Sequence, residues 1–208
     1  YFASNIRFHT QWVRTSPASD HAHCTLGWVL LQDDRLGEAV VHLEESLRLN
    51  PGVADTYNNL GAVYSRSGDS AKALPYFTAA IRLEPDNVEA HNNLGMVLGK
   101  LGDVSKAVDH FESALRIDPD YSDAHTNLGV VLVKQGQSDA AAAHFEKAVE
   151  LNPNDAHAHN NLASVLAAQG ELARAAEHYR SALAIDPDYA AARARLEQVR
   201  DELRRREK

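Results

Sequence analysis

The sequence predicts an all-α solenoid assembled from 34-residue helix–turn–helix repeats. The first observation behind that prediction is a period. The strings HCTLGWVL, YNNLGAVY, HNNLGMVL, HTNLGVVL and HNNLASVL begin at residues 23, 57, 91, 125 and 159, a constant step of 34. Self-similarity at such a period marks stacked units that cannot bury their apolar faces alone. The second observation is the apolar spacing inside each unit, which matches two amphipathic helices. The third is a proline near the end of every unit, Pro51, Pro85, Pro119, Pro153 and Pro187. Proline cannot continue a helix and pushes the residue before it out of helical geometry.

Taken in order, residues 1–19 read as the second helix of a preceding repeat whose first helix is absent, because Pro17 is in register with the later prolines. Phe2, Ile6, Phe8, Trp12 and Val13 then leave apolar surface without its usual cover. Five repeats follow: 20–53, 54–87, 88–121, 122–155 and 156–189. In the first helices Leu60, Val63 and Tyr64, then Leu94, Val97 and Leu98, form a core stripe. Gly68-Asp69, Gly102-Asp103 and Gly136-Gln137 read as turns, where glycine takes the left-handed conformation that closes a helix. The second helices carry Ala73, Phe77, Ala80 and Ile81, echoed by Ala107, Phe111, Ala114 and Leu115. Pro75 lies inside one of them, and a mild kink is expected there without a break. Residues 190–208 read as a capping helix with a narrow stripe of Leu196, Val199 and Leu203.

Composition narrows the function. The chain has 208 residues, 29 acidic against 21 basic side chains and a net charge of −8. That balance argues against nucleic acid, whose binding needs cations to displace phosphate counterions, and against anionic membrane surfaces. The charge is uneven: the five repeats carry 12 basic and 25 acidic residues, while the two ends contribute +2 and +3. No apolar run reaches the length of a membrane span. A single cysteine, Cys24, excludes an intramolecular disulfide and leaves the compartment open. The first residue is Tyr1, so a piece of a longer or processed protein is expected, on the cytoplasmic or periplasmic side and attached to an upstream membrane or catalytic domain.

Leu-Gly, an aliphatic or aromatic position, Ala, Phe or Tyr, Ala and Pro over 34 residues resemble the tetratricopeptide repeat, across about 170 of 208 residues. The departures are Ala163 where the other units have Gly, Leu43 where they have an aromatic, and Ser46 where they have Ala. The resemblance implies a right-handed α-α superhelix whose first helices line a concave surface, and a protein-binding role without catalysis.

On the face opposite the core stripe, the spacing i, i+4, i+7, i+11 collects Asp55, Asn59, Ala62 and Arg66, then Glu89, Asn93, Met96 and Lys100, then Asp123, Asn127, Val130 and Lys134. The reading is a groove with an acidic rim, a central asparagine ladder (Asn59, Asn93, Asn127, Asn161, doubled by Asn58, Asn92 and Asn160) and a basic rim. A carboxamide donates and accepts, matching both groups of a peptide unit, so regularly spaced Asn suits an extended backbone. The ladder resembles that of O-linked N-acetylglucosamine transferases, which grip protein substrates with it. Two other readings stand beside this one. The asparagines bridge neighbouring repeats, and the rim charges answer the helix macrodipoles.

No catalytic residue, cofactor or metal site is expected. Eight of the eleven histidines fall in two columns, His23, His91, His125, His159 and His42, His110, His144, His178, and members one repeat interval apart are about one helix-packing distance from each other, too far to share an ion. The segment Gly95–Lys100 imitates a phosphate loop but has the wrong spacing and lies in a helix. Two alternatives to a free-standing peptide-binding scaffold are the substrate-recruiting region of a larger glycosyltransferase-type protein and a homo-oligomer assembled through Phe8 and Trp12. The N-terminal tail is similar to the junction at which bacterial membrane glycosyltransferase-like proteins enter their C-terminal repeats.

Overall fold

The computed structural model describes residues 2–206, with side chains from residue 5 onward. Among the described residues there are twelve helices and no strand: α1 Phe2–Thr15, α2 Asp20–Gln32, α3 Leu36–Leu49, α4 Ala54–Arg66, α5 Ser70–Leu83, α6 Val88–Leu101, α7 Val104–Ile117, α8 Ser122–Lys134, α9 Ser138–Leu151, α10 Ala156–Ala168, α11 Leu172–Ile185 and α12 Ala190–Arg206. They form two compact units, residues 1–117 and 118–208. In the first, α2 pairs with α3, α4 with α5 and α6 with α7; α1 packs on α2, α3 on α4 and α5 on α6. In the second, α8 pairs with α9 and α10 with α11, with α9 on α10 and α12 closing against α11. The architecture is an all-α helical-repeat solenoid.

Local chemistry places the helix ends. Ser19, Asp69, Asn87 and Asp155 each accept a hydrogen bond from a first-turn amide of the helix they precede, satisfying a donor that no helical carbonyl can reach. Gly102 closes α6 with φ +90°, a conformation that costs other residues a clash with Cβ. In the first repeat the equivalent position is Asp34, at φ 59°. Aspartate is among the few side chains that tolerate that region.

In the second, third and fourth repeats the second helix lies so close to the first that glycine is required. A Cβ on Gly61 would meet the Phe77 ring at 2.7 Å, one on Gly95 the Phe111 ring at 2.7 Å, and one on Gly129 the Phe145 ring at 2.6 Å. The three phenylalanines are 1–2% exposed, so they have nowhere to go. The departures from the repeat pattern are absorbed locally. Opposite Ala163 stands Tyr179, fully buried, with its hydroxyl 3.0 Å from Ser164 Oγ. Ser46 is also fully buried and pairs with the Asp20 carbonyl at 2.9 Å and the Thr56 hydroxyl at 3.1 Å. A buried hydroxyl with two partners is affordable where an unpaired one is not.

α5 runs unbroken through Pro75, which is exposed. Proline there still removes the amide that would bond to residue 71. Pro75→Ala is expected to raise stability by about 1–2 kcal/mol, below the full helix-interior proline penalty because the chain already accommodates the ring; urea unfolding followed by circular dichroism checks it.

At the ends, Ile6 and Val13 of α1 pack against a core of Leu26, Leu30 and Leu43, whereas Phe8 remains 67% exposed. The side chain of Phe2 lies outside the described residues. Trp12 sets its ring edge-on to His21, 5.4 Å between centres. In α12, Ala192, Leu196 and Val199 are buried. Arg204, Arg205 and Arg206 are exposed and pair along their own helix with Asp201 and Glu202, contacts worth little each.

Candidate functional site

The first helices of successive repeats touch one another, α2 with α4 and α4 with α6 in the first unit, α8 with α10 and α10 with α12 in the second. Their shared face carries the residues singled out from the sequence.

In the first unit Asp55, Asn58, Asn59 and Glu89 line one depression of about 390 Å³, together with Cys24 and the exposed indole of Trp28. The two asparagine columns have different roles within it. Asn58 and Asn92 are buried, 6% and 3% exposed. Asn59 and Asn93 are half-buried. Asn93 Nδ2 donates to Asn58 Oδ1 at 3.1 Å, and Asn58 Nδ2 lies 3.4 Å from a Glu89 carboxylate oxygen. Asn59 Nδ2 makes the equivalent reach back to Cys24 Sγ at 3.7 Å. Asn58, Asn59 and Asn93 thus bridge neighbouring repeats through their amide nitrogens.

In the second unit Lys134 and Asn161 line a depression of about 380 Å³ with Ser164 and Arg195, over the apolar Val130, Val133 and Val165. Asn127 and Asn160 are half-buried. Thr126 Oγ1 and Asn160 Oδ1 are buried without a partner, so Asn161 makes no bond to Thr126 of the kind Asn93 makes to Asn58.

The rims divide as well. Asp55, Glu89 and Asp123 are exposed in first turns of their helices, and Arg66, Lys100 and Lys134 are exposed in last turns, the positions the macrodipole favours. Arg66 is engaged: its guanidinium donates to the Leu31 carbonyl at 2.6 Å, tying α4 to the open end of α2. Asp123 is open to solvent as a residue, yet its carboxyl is pushed above the ordinary range, first by desolvation from surrounding protein and then by the negative charge of Asp155. Burial likewise raises the Cys24 thiol, the opposite of the depression an activated nucleophile needs.

Several contributors escaped the sequence reading, although the 34-residue step contains them. Arg195 stands one step after Asn161, continuing the ladder column into α12, and Trp28 stands one step before Ala62. The two histidine columns also prove to be one feature. Each first-helix ring faces the second-helix ring 19 residues later, with Nδ1···Nδ1 distances of 3.1, 3.1, 2.9 and 3.0 Å. Among the described residues no group of three or more His, Cys, Asp or Glu is placed to hold a metal ion. No described helix is long and apolar enough to cross a membrane.

Fold and repeat pattern together define a helical-repeat protein. Family models described as tetratricopeptide repeat match residues 58–122, 126–190 and 21–45, more than half of the chain. The chain belongs to the tetratricopeptide repeat family. Among curated proteins none matches the sequence. Among solved structures the chain is similar to the APC/C heterotetramer Cut9–Hcn1, with a TM-score of 0.89 at 22% identity over 95% of this chain and 39% of that one. It is also similar to PilF of Pseudomonas aeruginosa, with a TM-score of 0.78 at 24% identity over 88% and 86%. A third is YrrB, a tetratricopeptide-repeat protein with an unusual peptide-binding site, with a TM-score of 0.63 at 24% identity over 88% and 95%. At these identities the likeness shows the fold alone. The chain spans about two fifths of the Cut9–Hcn1 chain it matches.

Proposed function

We propose that this protein-interaction scaffold binds an extended protein segment on the first-helix faces of each unit, with Asn59 and Asn93 in the first and Asn127 and Asn161 in the second reading the segment's backbone, and with no catalysis of its own. The observation that carries this reading is the split between the asparagine columns. Asn58 is buried and accepts the amide of Asn93, so the half-buried ladder residue is oriented and its Oδ1 is left to accept an N–H. A carboxamide held by one hydrogen bond loses less conformational freedom when a ligand takes the other. In the first unit Asp55 and Glu89 would attract positive charge and Lys100 negative charge, and in the second Asp123 would attract positive charge and Lys134 and Arg195 negative charge, giving a bound segment a direction. The peptide-binding site of YrrB, on the same fold, supports the choice of ligand class.

The test uses a peptide selected from a random library on the 208-residue chain. N-methylation of alternate backbone amides is expected to weaken binding at least tenfold, and alanine replacement of single side chains less than threefold. Affinity that tracks side chains and ignores N-methylation would remove the backbone-reading role.

A further inference from the structure

The four histidine pairs are built alike. Nδ1 faces Nδ1 at 2.9–3.1 Å in every pair. The ring centres stand 5.2–5.3 Å apart, so both nitrogens lie near the line joining the rings. That arrangement suits one proton shared between two lone-pair positions. Two ligands of one ion would instead turn toward a point beside that line.

A second bond fixes which ring supplies the proton. Nε2 of His91, His125 and His159 lies 3.1, 3.0 and 3.1 Å from the carbonyl of Pro85, Pro119 and Pro153. A carbonyl only accepts, so Nε2 keeps its hydrogen and Nδ1 of the neutral first-helix ring is a bare acceptor. The second-helix ring therefore donates Nδ1–H. The chain of bonds runs from second helix to first helix to the proline that closes the preceding repeat, and it joins three segments through one imidazole. His23 departs from this, because its Nε2 is buried without a partner.

Such a pair holds one bridging proton when both rings are neutral. A proton added at the second-helix Nε2 puts a cation in a half-buried site, and another at the first-helix Nδ1 sets two N–H groups against each other. We propose that the pairs His23–His42, His91–His110 and His159–His178 act as proton-sensitive joints, clasped when neutral and loosened by proton uptake in mild acid. Burial, and after it the charge of the partner ring, hold His42, His110 and His178 below the ordinary histidine range. Acidic neighbours offset this only in part: Glu38 beside His42 on α3, Asp109 beside His110 on α7, and Glu177 on α11 with Glu146 on α9 beside His178, while Glu45 on α3 lies near His23. Arg174 on α11 acts with the partner ring on His178, while Asp86 and Arg116 line the depression that His91 enters. Unfolded histidine titrates near pH 6.5. Because His42, His110 and His178 titrate lower when folded, the unfolded chain binds more protons in that interval. The stabilisation is therefore complete above about pH 6.5 and is lost as pH falls toward the lower folded values.

The experiment compares urea unfolding of the wild-type chain and the variant H42N/H110N/H178N at pH 7.5 and 5.8. Asparagine keeps an N–H for the first-helix Nδ1 but does not titrate. The wild-type folding constant is expected to fall at least tenfold over this range, and the variant's by less than half as much on a logarithmic scale. Equal losses in both proteins would overturn the proposal. Long-range ¹H–¹⁵N spectra of the wild type give a second readout that does not depend on the variant folding. His91 and His159 are expected to carry hydrogen on Nε2 at pH 7.5 and His110 and His178 on Nδ1, with the midpoints of His42, His110 and His178 below 6.5. His42, His110 and His178 titrating at or above 6.5 would overturn it.

Discussion

Phe111→Ala is expected to lower the stability of the chain by about 3–5 kcal/mol, the usual cost of emptying a buried aromatic site. Phe111 is 2% exposed, and its ring occupies the space that a side chain on Gly95 would need. Neither neighbouring helix can close the gap without breaking its own contacts. The packing account makes a sharper demand through a double-mutant cycle. In the wild type Gly95→Ala drives a Cβ to 2.7 Å from the ring, and overpacking of that kind costs about 1–3 kcal/mol. In the Phe111→Ala background the obstruction is gone, and alanine's helix preference over glycine is worth up to about 1 kcal/mol. The sign of Gly95→Ala should therefore reverse between the two backgrounds, which urea unfolding of the four proteins measures. The same sign in both would mean that the glycine column serves the backbone and not the ring.

The second large effect concerns binding. Replacing Asn59, Asn93, Asn127 and Asn161 with alanine removes four acceptors at about 0.5–1.5 kcal/mol each. Affinity for a library-selected peptide should then fall by at least about thirtyfold at the lower bound, where 1.4 kcal/mol is a factor of ten. Part of the change is structural, since Asn93 also satisfies Asn58 Oδ1, and stability should drop by about 1–3 kcal/mol when that buried oxygen loses its partner. Titration calorimetry on folded protein separates the two. Asn58→Ala is the complementary case, with the larger cost in stability and the smaller direct loss in binding.

How much of this could be read beforehand follows from which interactions are periodic. The helices and their glycine turns repeat in sequence because each unit solves the same packing problem, so Gly68 and Gly102 announced their positive φ. The ladder was legible as a column, but the burial of Asn58 and Asn92 was not. Two adjacent helix positions differ by a rotation of about 100°, and only the next repeat decides which of them is covered. The use of Arg66 on the Leu31 carbonyl was hidden for the same reason, because it is a contact between repeats 35 residues apart. Histidine pairing was encoded in the constant 19-residue offset, yet reading along each column instead of across the two concealed it. Trp28 and Arg195 occupy columns whose residue type changes, and searching for identical residues passes over them.

The central claim, that the half-buried asparagines receive an extended segment, is tested most directly by following their side-chain amide signals in ¹H–¹⁵N spectra while a library-selected peptide is added. The account predicts that the signals of Asn59, Asn93 and Asn161 shift in proportion to occupancy, while those of Asn58 and Asn92, buried beneath, move less. Ladder signals that stay fixed while residues on the outer faces of the second helices, such as Ser105 and Glu112, respond would contradict it.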